Sequence, residues 1–181
     1  MFSKQKVQII GYYITMVSII VAYDKNNGIG AKNDIPWMGK LPADIEHFRT
    51  TTKEAAVIMG WITYKSIGRL LPKRQNIIIS DFADTKVEGA NVAGSLQEAI
   101  KLADPNRKTF VIGGGTIYAQ AIDLADVIIA SEINATILEC TVFFPKIDIN
   151  VWREVSRQHM PANKDNLYDF DIVTYKKIKT T

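Results

Sequence analysis

The sequence predicts an α/β protein whose central sheet is mainly parallel. Apolar runs of strand length alternate along the chain with helical patterns, and this alternation is typical of βαβ units. The last two predicted strands, Val151 to His159 and Tyr168 to Lys176, instead alternate apolar and polar residues and suit an antiparallel sheet edge. With 181 residues, of which 47% are hydrophobic, the chain is long enough to bury one complete core.

The first predicted strand runs from Met16 to Tyr23 and is apolar throughout, as expected for a strand covered on both faces. Turn-forming residues dominate the next segment, Asp24 to Ile35, and predict a mobile loop. Pro42 suits the first turn of the helix that follows. The apolar positions of this helix recur at helical spacing on one stripe: Leu41, Ile45, Phe48 and Thr52.

Two junctions in the middle of the chain join a buried strand to a helix through glycine. Val57 to Gly60 leads into the helical segment Trp61 to Gly68, and Thr109 to Ile112 leads into Gly113-Gly114-Gly115 and a helix from Thr116 to Leu124. Free backbone N–H groups at such junctions favour phosphate, so the two junctions could hold a pyrophosphate between them. The triple glycine is equally consistent with a tight turn, and the third glycine of the usual dinucleotide fingerprint is absent.

The remaining elements follow from shorter patterns. A strand is predicted at Asn76 to Ser80, a helix at Ser95 to Ala103 and a buried strand at Ala125 to Asn134. Two polar patches, Thr50 to Glu54 and Asp81 to Glu88, are short enough to be loops.

A single carboxylate, Asp44, lies in the first turn of the helix that begins near Pro42. Asp44 and Phe48 are four residues apart and share one helix face. A carboxylate beside an aromatic ring suits a planar nitrogen heterocycle, because the ring stacks while the acid binds an amidine-like edge. The alternative is that Asp44 only complements the helix dipole.

Composition excludes several other chemistries. The two histidines, His47 and His159, are not paired at metal-ligand spacing, so no metal site is expected, and His47 is interpreted as a residue at the surface or behind the site. The net charge of +3, without a long basic run, argues against nucleic acid binding. The one cysteine, Cys140, excludes an internal disulfide and is expected to be a buried thiol, which fits the reducing cytoplasm.

The N-terminal segment is a separate question. Lys4 and Lys6 precede an apolar stretch that resembles part of a signal peptide, but polar residues dilute the stretch and cleavage after it would remove the Met16 to Tyr23 strand. We therefore expect residues 1–15 to be an N-terminal extension, disordered or forming a peripheral strand, and residues 16–181 to form a single domain. The protein is expected to be a cytoplasmic monomer without a membrane partner.

Several blocks of sequence, in order and at matching spacing, resemble the dihydrofolate reductase family from Met16 to about Lys176. The blocks are Met-Val-Ser-Ile-Ile-Val-Ala, Gly-Ile-Gly, Ile-Pro-Trp, Leu-Pro-Ala-Asp, Val-Ile-Met-Gly, Ser-Ile-Gly-Arg-Leu-Leu-Pro, Asn-Ile-Ile-Ile-Ser and Val-Ile-Gly-Gly-Gly-Thr-Ile-Tyr. The resemblance implies a dihydrofolate reductase-like fold with about eight strands and about four helices. It also implies reduction of 7,8-dihydrofolate to 5,6,7,8-tetrahydrofolate by NADPH, in support of one-carbon and thymidylate metabolism.

The resemblance further implies individual roles. Asp44 matches the acid that binds the 2-amino and N3 edge of the pterin and promotes protonation at N5. Trp37 and Tyr118 match residues that close the site and flank the nicotinamide, although both also suit ordinary core positions. Arg74 matches the arginine that clamps the α-carboxylate of the substrate, for which a solvated arginine in a turn is the alternative. The substrate-binding residues implied in this way are Ile20, Ala22, Asp44, Phe48, Ile67, Leu71, Arg74, Ile112 and Ser131.

Cofactor contacts are implied by the same resemblance. The loop from Asp24 to Ile35 resembles the family's active-site lid, whose closure excludes water. The implied cofactor-binding residues are Ala22, Ile29, Gly30, Ile35, Gly60, Trp61, Ile62, Thr63, Ser80, Asp81, Ile112, Gly113, Gly114, Gly115, Thr116, Ile117 and Tyr118.

The chain departs from the family pattern at two places. Trp61 and Thr116 replace basic residues that commonly grip the 2′-phosphate of NADPH, and Asp81 adds an acid nearby. We hypothesise that discrimination against NADH is reduced unless Lys65, Arg69 or another basic side chain compensates. The acid that usually precedes the Phe-Pro pair is also missing near Cys140, which predicts altered lid closure.

Two other functions fit part of this pattern. One is a pterin- or nucleotide-binding protein that has lost efficient turnover, which the missing basic residues favour. The other is a reductase of a different pterin-like compound, against which Arg74 argues, since a substrate without a glutamate tail needs no such clamp.

Overall fold

The computed structural model describes residues 8–9, 12–13, 16–31, 34–82 and 84–178. In these ranges the strands are β1 (Gln8–Ile9), β2 (Tyr12–Tyr13), β3 (Val17–Tyr23), β4 (Gly28–Gly30), β5 (Ala56–Gly60), β6 (Gln75–Ile79), β7 (Asn91–Ala93), β8 (Thr109–Val111), β9 (Val127–Ile133), β10 (Val142–Phe143), β11 (Trp152–Met160) and β12 (Phe170–Lys177). The helices are α1 (Pro42–Thr51), α2 (Trp61–Ile67), α3 (Leu96–Leu102) and α4 (Gly115–Ala121).

An eight-stranded sheet organises the described part of the chain, in the order β11-β12-β9-β3-β8-β5-β6-β7. All neighbours from β9 to β7 are parallel, whereas β12 pairs antiparallel with both β9 and β11. This arrangement confirms the predicted α/β class, the mainly parallel sheet and its antiparallel C-terminal edge.

The inner strands are apolar because both of their faces are covered. Val57, Ile58 and Met59 of β5 and Ile77 and Ile78 of β6 have no measurable exposure. Such continuous burial explains why these segments read as unbroken apolar runs rather than as alternating patterns.

Three strands were not predicted, because none of them has a local signature. β7 has three residues, of which one is buried. β4 and β10 form a short antiparallel pair with an irregular register, joining Gly28–Gly30 to a segment more than a hundred residues later in the chain.

Thr50 and Thr51, predicted to lie in a loop, are the last residues of α1, so that prediction was wrong.

The N-terminal extension is described only in part. β1 and β2 pair antiparallel, with Gln8 opposite Tyr13 and Ile9 opposite Tyr12. The rest of residues 1–15 lies outside the described residues, so the proposed division at Met16 stays a prediction. No helix within the described ranges has both the length and the apolar character that a membrane span needs.

Candidate active site

Asp44 is the buried residue of α1, with 8% of its surface exposed. The start of α1 is held by a residue from a distant part of the chain, because the Ala43 N–H donates a 3.0 Å hydrogen bond to Asn166 Oδ1. Burial raises the pKa of Asp44, and a hydrogen bond with Ser131 on β9 acts in the opposite direction. The predicted pair of Asp44 and Ser131 therefore comes together, and the carboxyl group retains a proton more readily than an exposed aspartate does.

Tyr118 on α4 links the acid to the sheet and to the glycine turn, which is Gly113-Gly114-Gly115. Its buried hydroxyl donates a 2.8 Å hydrogen bond to the carbonyl oxygen of Ile20 on β3. Burial and the charge of Asp44 both raise the pKa of Tyr118, so the hydroxyl remains a donor at neutral pH. A Cβ placed on Gly113 would lie only 2.9 Å from Cε2 of the Tyr118 ring.

Five of the six apolar residues implied for the substrate lie in one cluster, and the sixth, Ala22, packs against another. Ile20 and Ile112 are buried in the first cluster, and Phe48, Ile67 and Leu71 pack against it while remaining partly exposed. The exposed parts of these three side chains leave an apolar surface beside α1. Phe48 and Ile45 are half-buried rather than buried, so the expected apolar stripe of α1 faces this surface as well as the core.

Trp37 lies in a different cluster, together with Leu41, Ile133 and Phe170, against which Ala22 and Ile35 pack. The indole is 2% exposed, yet its Nε1 atom has no hydrogen-bond acceptor among the described residues. A buried N–H donor of this kind normally has a water or ligand partner.

Arg74 is oriented by backbone carbonyl groups at the end of α1. Its Nε donates to both the carbonyl oxygen and Oγ1 of Thr52 at 3.0 Å, and its two terminal nitrogens donate to the carbonyl oxygens of Pro72 and Arg49 at 2.9 Å. Burial and the nearby charge of Arg49 lower the pKa of Arg74. Because a guanidinium carries five N–H groups, the terminal nitrogens still have donors for a carboxylate.

The glycine turn packs directly on the end of β5. Gly60 N–H donates a 2.8 Å hydrogen bond to the carbonyl oxygen of Gly113, whose φ is +111°. A Cβ on Gly60 would lie 3.0 Å from Ile117 Cγ1, and one on Gly114 would lie 3.1 Å from Thr63 Oγ1. The structure therefore brings Gly60, Thr63, Gly113, Gly114 and Ile117 together, as predicted for one end of a dinucleotide site.

The base of the lid, residues 24–35, also reaches this turn. A Cβ on Gly115 would lie 2.6 Å from Val142 Cγ1 and 3.9 Å from Ile29 Cδ1. Gly30 accepts a 2.9 Å hydrogen bond from Thr141 N–H through its carbonyl oxygen. Ile29, Gly30 and Gly115 are thus neighbours, and Lys32 and Asn33 of the lid lie outside the described residues.

The residues implied for the adenosine end lie further along the sheet. Ser80, after β6, is buried, and its Oγ atom bonds Thr85 Oγ1 at 2.7 Å and accepts from Phe82 N–H at 3.2 Å. Asp81, Ile62 and Thr116 are exposed, and Trp61 is half-buried with its ring 5.6 Å from that of Tyr64.

Three features were misjudged or missed from sequence. Asp24, which reads only as a turn residue, is 1% exposed and accepts hydrogen bonds from the N–H groups of Asn26, Gly28 and Ile137. His47 is half-buried, and its Nε2 is buried without a partner in the described part of the chain. Cys140 is half-buried rather than buried. The Asp-x-Asn spacing was a usable signal for the local bonds of Asp24, but nothing local indicated Ile137.

Among the residues that the structure describes, no three histidine, cysteine, aspartate or glutamate side chains are grouped to hold a metal ion.

Comparisons with known proteins agree with this arrangement. A family model described as dihydrofolate reductase matches residues 16–177. Dihydrofolate reductase from Bacillus subtilis is 35% identical over 90% of this chain and 95% of its own length, and dihydrofolate reductase type 3 from Salmonella typhimurium is 38% identical over 90% and 98%. A solved structure of dihydrofolate reductase from Enterococcus faecalis, complexed with NADP(H) and RAB-propyl, superposes with a TM-score of 0.83 at 31% identity, covering 91% of this chain and 97% of that one. The sheet topology and these alignments agree, and the chain belongs to the dihydrofolate reductase family.

Proposed function

We propose that this chain reduces 7,8-dihydrofolate to 5,6,7,8-tetrahydrofolate with NADPH, and that the reactants bind between α1 and the glycine turn. The observation that carries the proposal is a buried acid, Asp44, whose pKa is raised and which acts electrostatically on Tyr118, the residue that packs on Gly113. One aromatic side chain thus connects a proton-holding group to a turn suited to a dinucleotide.

The residues present fit a reduced nicotinamide dinucleotide. The left-handed φ of Gly113, and the close approach of Gly60 and Gly114 to their neighbours, leave room only for backbone at this turn. Backbone that approaches a ligand without side chains is what a pyrophosphate requires. Gly60, Thr63, Gly113, Gly114 and Gly115 would hold the dinucleotide, which when bound supplies the hydride to C6 of the substrate.

Asp44 has two tasks in this proposal. Ionised, its carboxylate accepts hydrogen bonds from the 2-amino group and N3 of the pterin. Because burial raises its pKa, the group also promotes protonation at N5, without which a hydride adds poorly to the C6–N5 imine. Phe48, on the same helix face, stacks on the pterin ring and leaves the acid at its edge.

Trp37 and the lid would shield the reacting atoms. The unpartnered indole N–H of Trp37 suits an ordered water, through which a proton can reach the pterin. Closure of residues 24–35 over the glycine turn would exclude bulk water and place Ile29, Gly30 and Ile35 against the nicotinamide.

Arg74 would bind the glutamate tail. Its guanidinium is fixed by four hydrogen bonds to Thr52, Pro72 and Arg49, so little side-chain entropy is lost when a carboxylate pairs with it. Ile20, Ile67, Leu71 and Ile112 would line the slot between the pterin and this tail.

The remaining parts of the proposal concern the molecule as a whole. We propose a cytoplasmic monomer, and the single cysteine fits a reducing compartment. Residues 1–15 are proposed to be dispensable, because β3 is anchored from Val17 onward: Val17 N–H donates to Asp126 Oδ2 at 3.0 Å. Light scattering after size-exclusion chromatography tests the monomer, and a chain starting at Met16 with unchanged kcat/KM tests the division.

Purified protein with dihydrofolate, followed by the absorbance of the reduced nicotinamide, tests the function. We expect turnover by the parent and a loss of activity in Asp44→Asn that is greatest at high pH, where solvent protons are scarce. Glu46→Gln, on an exposed position of the same helix, is the matched control. Equal activity of parent and Asp44→Asn at every pH would remove Asp44 from the mechanism.

A further inference from the structure

We propose that Asp81 recognises the free 2′-hydroxyl of the adenosine ribose and opposes a 2′-phosphate, so that the site binds NADH about as well as NADPH. This inference rests on the proposed function, because it concerns the adenosine end of the same dinucleotide site. It names a specificity-determining residue and extends the cofactor class to the unphosphorylated dinucleotide.

The topology places Asp81 next to the proposed pyrophosphate position. β5, α2 and β6 form a βαβ unit, and the parallel register sets Gly60, at the end of β5, opposite Ile79, at the end of β6. Gly60 bonds the glycine turn, whereas Asp81 is the second residue after β6, one strand further out. In dinucleotide-binding βαβ units an acid at the end of the second strand accepts hydrogen bonds from a ribose 2′-hydroxyl. Asp81 has this place in the unit, although Gly60 does not begin a G-x-G-x-x-G fingerprint.

The side chains around this position lack the groups that a 2′-phosphate needs. The described residues that directly follow β5, β6, β7 and β8 include no lysine, arginine or histidine: they are Trp61, Ile62, Thr63, Ser80, Asp81, Phe82, Gly94, Ser95, Ile112, Gly113, Gly114, Gly115 and Thr116. A phosphate monoester carries close to two negative charges at neutral pH and is bound through charge-assisted hydrogen bonds. Beside the Asp81 carboxylate the phosphate would instead be repelled.

Ser80 does not replace the missing cations. Ser80 is 6% exposed, and its hydroxyl is engaged by Thr85 Oγ1 and by the N–H of Phe82. Asp81 is therefore the exposed polar side chain at the end of β6, and it is an acceptor, which matches the donor character of a hydroxyl.

Apolar side chains follow the same two strands, β5 and β6, whose ends carry Gly60 and Asp81, and they suit the adenine ring. The Trp61 and Tyr64 rings lie 5.6 Å apart at 38°, and Ile62 and Phe82 are 67% and 69% exposed. Aromatic and aliphatic faces bind a nucleobase by stacking and contribute nothing to a phosphate. The basic side chains nearest in sequence are all exposed: Lys65 and Arg69 lie four and eight residues beyond Trp61, at and past the last turn of α2, and Lys86 lies five residues beyond Asp81.

Equilibrium binding tests the inference independently of turnover. Intrinsic tryptophan fluorescence or calorimetry gives the Kd values of NADH, NADPH, AMP and adenosine 2′,5′-bisphosphate for the parent, for Asp81→Asn and for Asp84→Asn, an exposed acid in the same loop. We expect NADH and NADPH to differ by less than about tenfold in the parent. Asp81→Asn should shift the ratio toward NADPH and toward the bisphosphate by on the order of tenfold, while Asp84→Asn leaves it unchanged.

Two results would overturn the inference: a preference of the parent for NADPH of about a hundredfold or more, or an unchanged ratio in Asp81→Asn. A preference for NADPH that disappears in Lys65→Gln would assign the phosphate to Lys65 and also contradict the inference. If the dinucleotides bind as expected but dihydrofolate is not reduced with either, the inference stands and the proposed function fails.

Discussion

The carboxylate of Asp24 accepts a 2.7 Å hydrogen bond from the backbone N–H of Ile137, which joins the first residue of the lid to the segment after β9. The other oxygen accepts from Asn26 and Gly28 at 2.9 and 2.7 Å. Lys25 N–H also donates to the carbonyl oxygen of Ala135 at 2.9 Å. The stem of the lid is therefore fixed to the protein although the acid expected near Cys140 is absent.

Replacing Asp24 with asparagine should destabilise the fold. One carboxylate oxygen becomes an NH₂ group that faces a backbone N–H, so a buried donor loses its acceptor and the free energy of unfolding falls by about 1–3 kcal/mol. Urea unfolding of Asp24→Asn, with Asp123→Asn at an exposed position as the control, measures the difference. A variant as stable as the parent would show that these hydrogen bonds are replaced by water.

Asp44→Asn should stabilise the protein as it removes activity. The pKa of Asp44 is raised in the folded state. Above the pKa of the unfolded chain, ionisation of Asp44 therefore lowers the free energy of unfolding. Below the pKa of the unfolded chain Asp44 is protonated in both states, and this cost vanishes. The difference in Tm between Asp44→Asn and the parent should be small at acid pH and should grow as the pH rises through the folded pKa. Calorimetry across this range would contradict the argument if the difference were constant or reversed.

His47 should make the fold sensitive to mild acid. Burial lowers its pKa, so the unfolded chain binds a proton near pH 6.5 before the folded chain does, and stability falls as the pH decreases through that range. His47→Phe removes the titration and should be more stable than the parent at pH 5 relative to pH 8. Parallel stability curves for the two proteins would argue that His47 titrates equally in both states.

Gly113→Ala should disrupt the glycine turn that we propose holds the dinucleotide. The substitution forces a side chain into a left-handed φ of +111° and sets its Cβ 2.9 Å from the Tyr118 ring. We expect a loss of about 1–3 kcal/mol in unfolding free energy and weaker dinucleotide binding. Gly94→Ala is the control, since its Cβ would have its nearest contact at 3.6 Å and no positive φ is involved.

The fold was predictable from sequence where burial alone determines the pattern. Strands β3, β5 and β6 are covered on both faces and appear as apolar runs, and the alternating residues of β11 and β12 indicate an antiparallel edge. β7 and the β4–β10 pair were not predictable, since their pairing depends on residues far away in the chain.

The site was predictable to a similar extent. Asp44 and Phe48 share a helix face that spacing alone reveals. The roles of Asp24 and His47 depend on what packs against them. Local sequence does not indicate the hydrogen bond from Ile137 to Asp24 or the burial of His47 Nε2. Resemblance to a family locates such positions but does not state their hydrogen bonds.

Because Arg74 bonds the carbonyl groups of Arg49 and Thr52, α1 fixes the distance between Arg74 and Asp44. Asp44 occupies the first turn of this helix and Arg74 grips its far end, about 12 Å away at 1.5 Å per residue. If Asp44 and Arg74 bind folate as proposed, the two ends of the ligand contact the two ends of one rigid helix, so a ligand must match the length of α1 to gain from both contacts. Compounds that contact only Asp44 do not depend on this distance, so their affinity should not change when Arg74 is substituted.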